Sequence, residues 1–230
     1  SMLRSGSKAA MSILLQTLLR WPDHPYGFGE VGYVKPDGDW KTVCEPPDLD
    51  DRVVRAKERA AVDAVCDAVD RGNQCWLYTV MTQRHDVQPR LESLLKKRGL
   101  NVKILRSKEV PTTKREAWIH KNCDADCMIM HPQLVATGLD AFDSIDNKFN
   151  YNCLMFFSTG YVLDIVRQAS GRAKRIGQTK PCELSFMYYT HSMQEQAAHL
   201  MAQKTKAAES LEGVFTESGL ASLAGADDNA

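Results

Sequence analysis

The chain has 230 residues, 43% of them apolar and 25% charged, an ordinary globular mixture with room for one generous domain. Lys plus Arg and Asp plus Glu number 29 each, so net charge gives no pointer to a nucleic-acid partner, and any electropositive surface must come from local clustering. No apolar run approaches the roughly 18 residues that a membrane span needs, and the N-terminus does not read as a signal peptide, since polar Ser12, Gln16 and Thr17 interrupt the partly apolar stretch from Met11 to Leu19.

Ser1-Met2 has the look of a remnant of a cleaved expression tag, which predicts a chain cut from a longer one. Residues 1–50 read as an N-terminal extension or linker, with a helix from about Ile13 to Leu19 that ends near Trp21-Pro22. The Pro-, Gly- and Asp-rich stretch from Asp23 to Asp51 reads as irregular chain or a short hairpin at Asp37-Gly38. A long helical pattern then runs from Asp51 to Arg71, with Gly72 as its stop.

From there strands and helices alternate. Trp76 to Val80 reads as a strand, and Val87, Leu91, Leu94 and Leu95 fall at helical spacing before a stop at Gly99. Val102 to Leu105 is the next strand, and Thr113 to Glu116 resembles a capping box opening a helix through Lys121. Cys127 to Met130 and Cys153 to Ser158 are strands. A helix from about Tyr161 to Arg175 and a strand from Glu183 to Tyr189 follow. Ser192 to Glu195 is a second capping box, opening a last helix to about residue 210, and residues 214–230 read as a fraying tail. Strands about every 25 residues with helices between them predict parallel pairing through right-handed crossovers: an α/β fold with a doubly wound sheet over 51–213.

The seven cysteines are odd in number and several sit in apolar runs, which predicts buried reduced thiols in a cytoplasmic protein. His120, Cys123, Cys127 and His131 could be written as a zinc set. Their spacing fits no common zinc pattern, and Cys127 begins the apolar run Cys127-Met128-Ile129-Met130, so a strand residue is the better reading.

The stretch with the most chemistry is Gln168-Ala169-Ser170-Gly171-Arg172-Ala173-Lys174-Arg175-Ile176-Gly177-Gln178. On a helix Gln168, Arg172 and Arg175 share one face, with Leu163, Val166 and Ala169 opposite, and two guanidinium forks beside a carboxamide suit a phosphate chain. A solvated basic turn is the bland alternative; Gly171 and Gly177 count against it because they permit close approach and a sharp exit.

This string resembles motif six of superfamily 2 helicases in its Swi/Snf-type form, and the resemblance covers roughly residues 52–213. It implies a RecA-like three-layer α/β/α lobe, the C-terminal of two. Arg172 and Arg175 would be arginine fingers reaching ATP and Mg²⁺ held mainly by the other lobe, with Gln168 in support. Val135-Ala136-Thr137-Gly138-Leu139-Asp140 is similar to motif five: Thr137 and Gly138 match its nucleic-acid-facing turn and Asp140 its ribose-facing position, although the remodellers' Gly-Gly-x-Gly-Leu-Asn pattern is not kept. Met81-Thr82-Gln83-Arg84 stands in the place of motif four. Thr82, Gln83, Arg84 and His85 could meet phosphates at a strand's carboxyl end, or be solvent-facing groups before a helix. Lys114 and Arg115 are weaker candidates, equally explained as exposed helix charge. His131-Pro132-Gln133-Leu134-Val135 and the Met193-Gln194 helix look closest to bacterial helicase-like proteins of phages and mobile elements.

The sequence contains no Gly-x-x-x-x-Gly-Lys-Ser/Thr loop and no Asp-Glu-x-His box. The resemblance therefore implies negligible ATPase activity for this chain alone, and an ATPase when it is joined to a first RecA-like lobe and to DNA, double-stranded DNA being favoured. The alternative is a non-catalytic nucleic-acid or protein docking module. A Rossmann-type enzyme would need a Gly-x-Gly-x-x-Gly turn after the first strand, where this chain has Met-Thr-Gln-Arg.

Overall fold

The N-terminal segment opens with helix α1, Lys8–Arg20, which passes into a 3-10 turn at Trp21–Asp23 where Pro22 ends it. Strands β1, Val31–Val34, and β2, Trp40–Cys44, form an antiparallel hairpin. Its turn is closed by Gly38, at φ +90°, whose N–H donates to the Lys35 carbonyl at 2.9 Å. The computed structural model describes residues 8–212 apart from 136–137, 144, 147, 159–162 and 174–175.

Beyond the hairpin come α2, Ala56–Asp70; β3, Cys75–Tyr78; α3, Gln88–Lys97; β4, Val102–Leu105; α4, Arg115–Lys121; β5, Cys127–Met130; β6, Cys153–Phe156; α5, Leu163–Ser170; β7, Glu183–Phe186; and α6, Met193–Glu212. The strands from β3 onward make one parallel five-stranded sheet in the order β4-β5-β3-β6-β7. In β3, β5 and β6 every residue is buried, because helices cover both faces.

Alternation along those strands sorts the core into two layers. Trp76, Tyr78, Met128, Met130, Leu154 and Phe156 pack beneath α4, α5 and α6. Leu77, Ile129 and Met155 face the other way, under α2 and α3. Fully burying side chains of this size contributes about 1.5–3 kcal/mol each, so the sheet's two faces carry much of the fold's stability. On the α2 side Cys75 stands in register between Cys127 and Cys153, three small thiols abreast. A thiol donation toward Cys153, together with burial, pushes Cys75 well above the ordinary thiol value, and burial does the same to Cys127.

Several element ends differ from expectation. Asp51 to Arg55 is not helical; α2 starts at Ala56, where the Glu58 carboxylate accepts from the Arg55 N–H at 2.8 Å. Thr113 caps nothing: residues 112–114 form a 3-10 turn that leads into α4 without a side-chain cap. Ser192 does cap α6, its Oγ accepting from Gln194 N–H at 3.1 Å, but Glu195 reaches back to the His191 N–H rather than to Ser192. The strand expected to reach Tyr189 stops at Phe186, and that expected to reach Ser158 stops at Phe156. Gly72 and Gly99, at φ +77° and +86°, end their helices as expected. The expected tail falls outside the described residues.

The N-terminal segment is docked on the sheet domain. Phe28 enters the layer beneath α2 and α3. Lys57 Nζ, in the first turn of α2, donates to Asp23 Oδ1 at 2.6 Å and to Gln194 Oε1 at 2.9 Å. Gln194 Nε2 in turn donates to Asp23 Oδ1 and to the Leu19 carbonyl, both at 2.8 Å. One buried polar cluster thus ties α1, α2 and α6 together.

Candidate functional site

The chain reverses its winding between β3, followed by α3 on one face, and β6, followed by α5 on the other. In an open parallel sheet the crevice outside the strands' carboxyl ends at such a point is where ligands bind. A cleft of about 640 Å³ lies at the carboxyl ends of β3, β4 and β5, lined by Thr82, Gln83, Arg84, Ser107, His131 and Gln133 together with Arg20, His85 and Arg115. Among the described residues no carboxylate lines it.

The loop after β3 is held at both ends. Thr79 N–H donates to the Met130 carbonyl at 3.0 Å, and Gln88 Nε2 donates to Thr79 Oγ1 at 3.0 Å. Between them the His85 ring stacks on Phe28, 3.8 Å between centroids and 9° from parallel. Burial, followed by the Arg84 charge, lowers the His85 pKa, and burial lowers that of His131. His131 Nδ1 accepts from the Gln133 N–H at 3.1 Å.

Arg115, a weaker phosphate-contact candidate equally readable as an exposed helix charge, is buried. Its Nη1 donates to the Leu134 carbonyl at 3.3 Å and its Nε to that of Val110 at 3.5 Å. Two carbonyls replace water at part of the fork, and among the described residues no carboxylate pairs with it. Lys114 beside it is exposed, as expected. Arg20, Ser107, His131 and Gln133 are cleft residues that the sequence did not single out as phosphate-binding groups; they come from three separated segments, and no spacing rule joins them. Cys127 lies inside the sheet and His120 packs edge-on to Phe149, so the zinc set does not assemble, and no group of three metal-ligating side chains occurs among the described residues.

The motif-five and motif-six residues gather elsewhere, along α5. The helix expected to Arg175 ends at Ser170, with Gly171 N–H donating to the Arg167 carbonyl and Arg172 N–H to that of Ala169. Arg172 therefore stands in a turn beyond the helix and does not share a helical face with Gln168, which is exposed. Val166 and Ala169 are buried, as the helical pattern requires. Arg175 and Thr137 lie outside the described residues, as does the side chain of Leu163.

Arg172 is joined to the motif-five segment twice. The Ala141 N–H donates to the Arg172 carbonyl at 3.2 Å, and Arg172 Nη1 lies 3.9 Å from Asp140 Oδ1. The Arg172 side chain is only 11% exposed while that of Asp140 is half exposed. Tyr78 Oη donates to the Ala169 carbonyl at 3.3 Å; burial raises its pKa, and the nearby Arg172 charge opposes the rise. Gly138, at φ +96° with open space about its Cα, makes the turn that brings Asp140 round.

Gln178, the last residue of the motif-six string, has a bracing contact that the sequence did not reveal. It exchanges amide hydrogen bonds with Asn150, both at 2.8 Å, and donates to the Ala173 carbonyl at 3.1 Å, tying the turn after α5 to the chain entering β6. A nucleoside triphosphate fits this side in one respect: the half-exposed Asp140 carboxylate can accept from a ribose hydroxyl beside an arginine. For Mg²⁺ the described residues offer no ligand set.

No protein-family model matches the sequence, and no curated protein matches it. Among solved structures the chain is similar to the crystal structure of the C-terminal part of the Fun30 ATPase domain, with a TM-score of 0.55 and 21% identity over 67% of this chain and 47% of that one. The chain spans about half the length of that structure. The likeness establishes the fold, a RecA-like α/β/α arrangement shared with the C-terminal part of an ATPase domain.

Proposed function

We propose that this chain is the second ATPase lobe of a nucleic-acid-dependent superfamily 2 translocase or helicase of Swi/Snf type, incomplete without a first RecA-like lobe. The observation that carries the reading is the joint between the two motif segments, where Asp140 and Ala141 meet Arg172. Residues this far apart have no reason to converge in a bare basic turn. ATP with Mg²⁺, held mainly by the first lobe, supplies the phosphoryl group. Arg172 and Arg175 supply positive charge to it, while Asp140, Gly138 and Gln168 help to seat the nucleotide.

Thr82, Gln83 and Arg84, with Thr137, hold the phosphate backbone of DNA, double-stranded DNA being favoured. The acid-free cleft supports this assignment, because contacts of that kind follow charge and carry little sequence preference. The sequence has no phosphate loop, so this chain alone has negligible turnover.

The test is steady-state phosphate release by the intact two-lobed protein, with and without double-stranded DNA, beside Arg175→Ala and beside this chain alone. DNA-stimulated turnover that falls about 10³-fold or more in Arg175→Ala and is missing from the single lobe is expected. No turnover with any nucleic acid would favour a docking module.

A further inference from the structure

The acid-free cleft does not end at the sheet. Arg20, Arg84 and His85 also line a second depression, of about 230 Å³, whose far wall is the N-terminal hairpin with Trp40. Arg20, at the end of α1, and Arg84 are exposed, and no ion pair engages either among the described residues. Glu30 is the one carboxylate lining this depression among the described residues, and its Oε2 already accepts from Thr42 Oγ1 at 3.2 Å. A row of cationic groups thus leads from the carboxyl ends of the strands to an indole.

Trp40 is 53% exposed, which leaves ring area open to a flat partner. The hairpin is shaped to keep it there. A Cβ on Gly32, on the opposite strand, would fall 2.9 Å from the indole and 2.2 Å from the Lys41 carbonyl oxygen, so only glycine lets the ring lie across β1. The hairpin is also anchored to the cleft: Phe28, three residues before β1, stacks on His85.

We propose that α1 and the hairpin extend the phosphate cleft into a groove for single-stranded nucleic acid, with Arg20 holding a phosphate and Trp40 stacking on one unpaired base. The inference rests on the reading that the cleft binds phosphates. It adds a ligand class that the cleft alone does not specify, a strand with bases free to stack. Guanidinium groups track the backbone, and an aromatic ring accepts any base because every base has a π face. In a blunt duplex the bases are already stacked, so Trp40 gains nothing there.

The test is fluorescence anisotropy of this chain with a labelled oligothymidine strand and with a blunt duplex of equal length, over a series of salt concentrations. Trp40→Ala weakens strand binding about tenfold, leaves duplex binding unchanged and does not alter the salt slope. Trp40→Phe, which keeps a ring and guards against simple loss of the hairpin, restores most of the affinity. Arg20→Ala lowers the slope of log K against log salt by about 0.7, the loss of one single-strand phosphate contact. Weaker binding by Arg84→Ala with no effect of Trp40→Ala or Arg20→Ala would overturn the groove while leaving the cleft intact, and would free the hairpin for a protein partner. No binding of either nucleic acid by the unmodified chain would overturn the cleft reading and the groove with it.

Discussion

Asp23→Ala removes the acid from the buried cluster that docks the N-terminal segment. Lys57 and Asp23 are each 3% exposed, so the substitution leaves an ammonium group with only the Gln194 amide and the face of Phe157, 4.9 Å away, for compensation. Breaking a buried ion pair from one side costs about 3–5 kcal/mol. For a domain of this size that lowers the thermal midpoint by about 12 °C, measured by circular dichroism at 222 nm.

The pair itself is a different matter. Burial depresses the Lys57 pKa more than Asp23 raises it, so desolvation outweighs the attraction. Replacing both partners, Lys57→Met with Asp23→Leu, should therefore land within about 1 kcal/mol of the unmodified protein or above it. Gln194 survives that exchange, because its Nε2 keeps the Leu19 carbonyl and its Oε1 keeps the Tyr189 N–H at 3.4 Å. The pH dependence has a definite sign. With the folded value of Lys57 below its unfolded value near 10.4, the unfolded chain binds the proton more tightly, so stability rises with pH between the two values. Asp23→Ala extends that rise to lower pH, since the one charge favouring the protonated lysine is gone. A midpoint for Asp23→Ala within about 2 °C of the parent, or a double variant less stable than the single one, would refute the reasoning.

Two glycine substitutions should separate backbone strain from collision. Gly177→Ala meets only Phe142 Cε1 at 3.7 Å, so its cost is the left-handed φ of +90° alone, about 1 kcal/mol in a thermal melt. Gly32→Ala collides with backbone and should loosen the hairpin, read as faster amide exchange at Tyr33 and Val34 with the sheet unchanged. Thiol titration with a disulfide reagent should modify exposed Cys182 in the native protein, and Cys75 and Cys127 only after denaturation, because burial and a raised pKa both withhold the thiolate.

Much of the architecture was legible from short runs. Val102 to Leu105 and Cys127 to Met130 came out with the boundaries expected: the second is an unbroken apolar run after an acidic stop, and the first a short, mostly aliphatic one shortly after a glycine stop. Misreadings cluster where a pattern has two outcomes. A Thr-x-x-Glu string at residue 113 can cap a helix, yet here Pro111 begins a 3-10 turn that passes into α4 directly. Arg172 fits a helical face by spacing, but the helix ends two residues earlier and the arginine is turned toward Asp140. Arg115 looked like solvent-facing charge because nothing local announces that the Leu134 and Val110 carbonyls will close over it.

The sequence by itself determined the parallel α/β sheet, through buried runs recurring with helices between them, and it marked the strings that bear arginine. Only the tertiary structure decided which cations share a cleft. Arg20, Arg84 and Arg115 come from α1, the loop after β3 and α4, and meet because the sheet's winding brings these segments to one end. It also decided that residues before 50 belong to that surface, through the Lys57 cluster and the Phe28–His85 stack. Periodicity is a local consequence of backbone geometry and can be read along the chain, whereas convergence depends on long-range packing whose free energy no single segment carries.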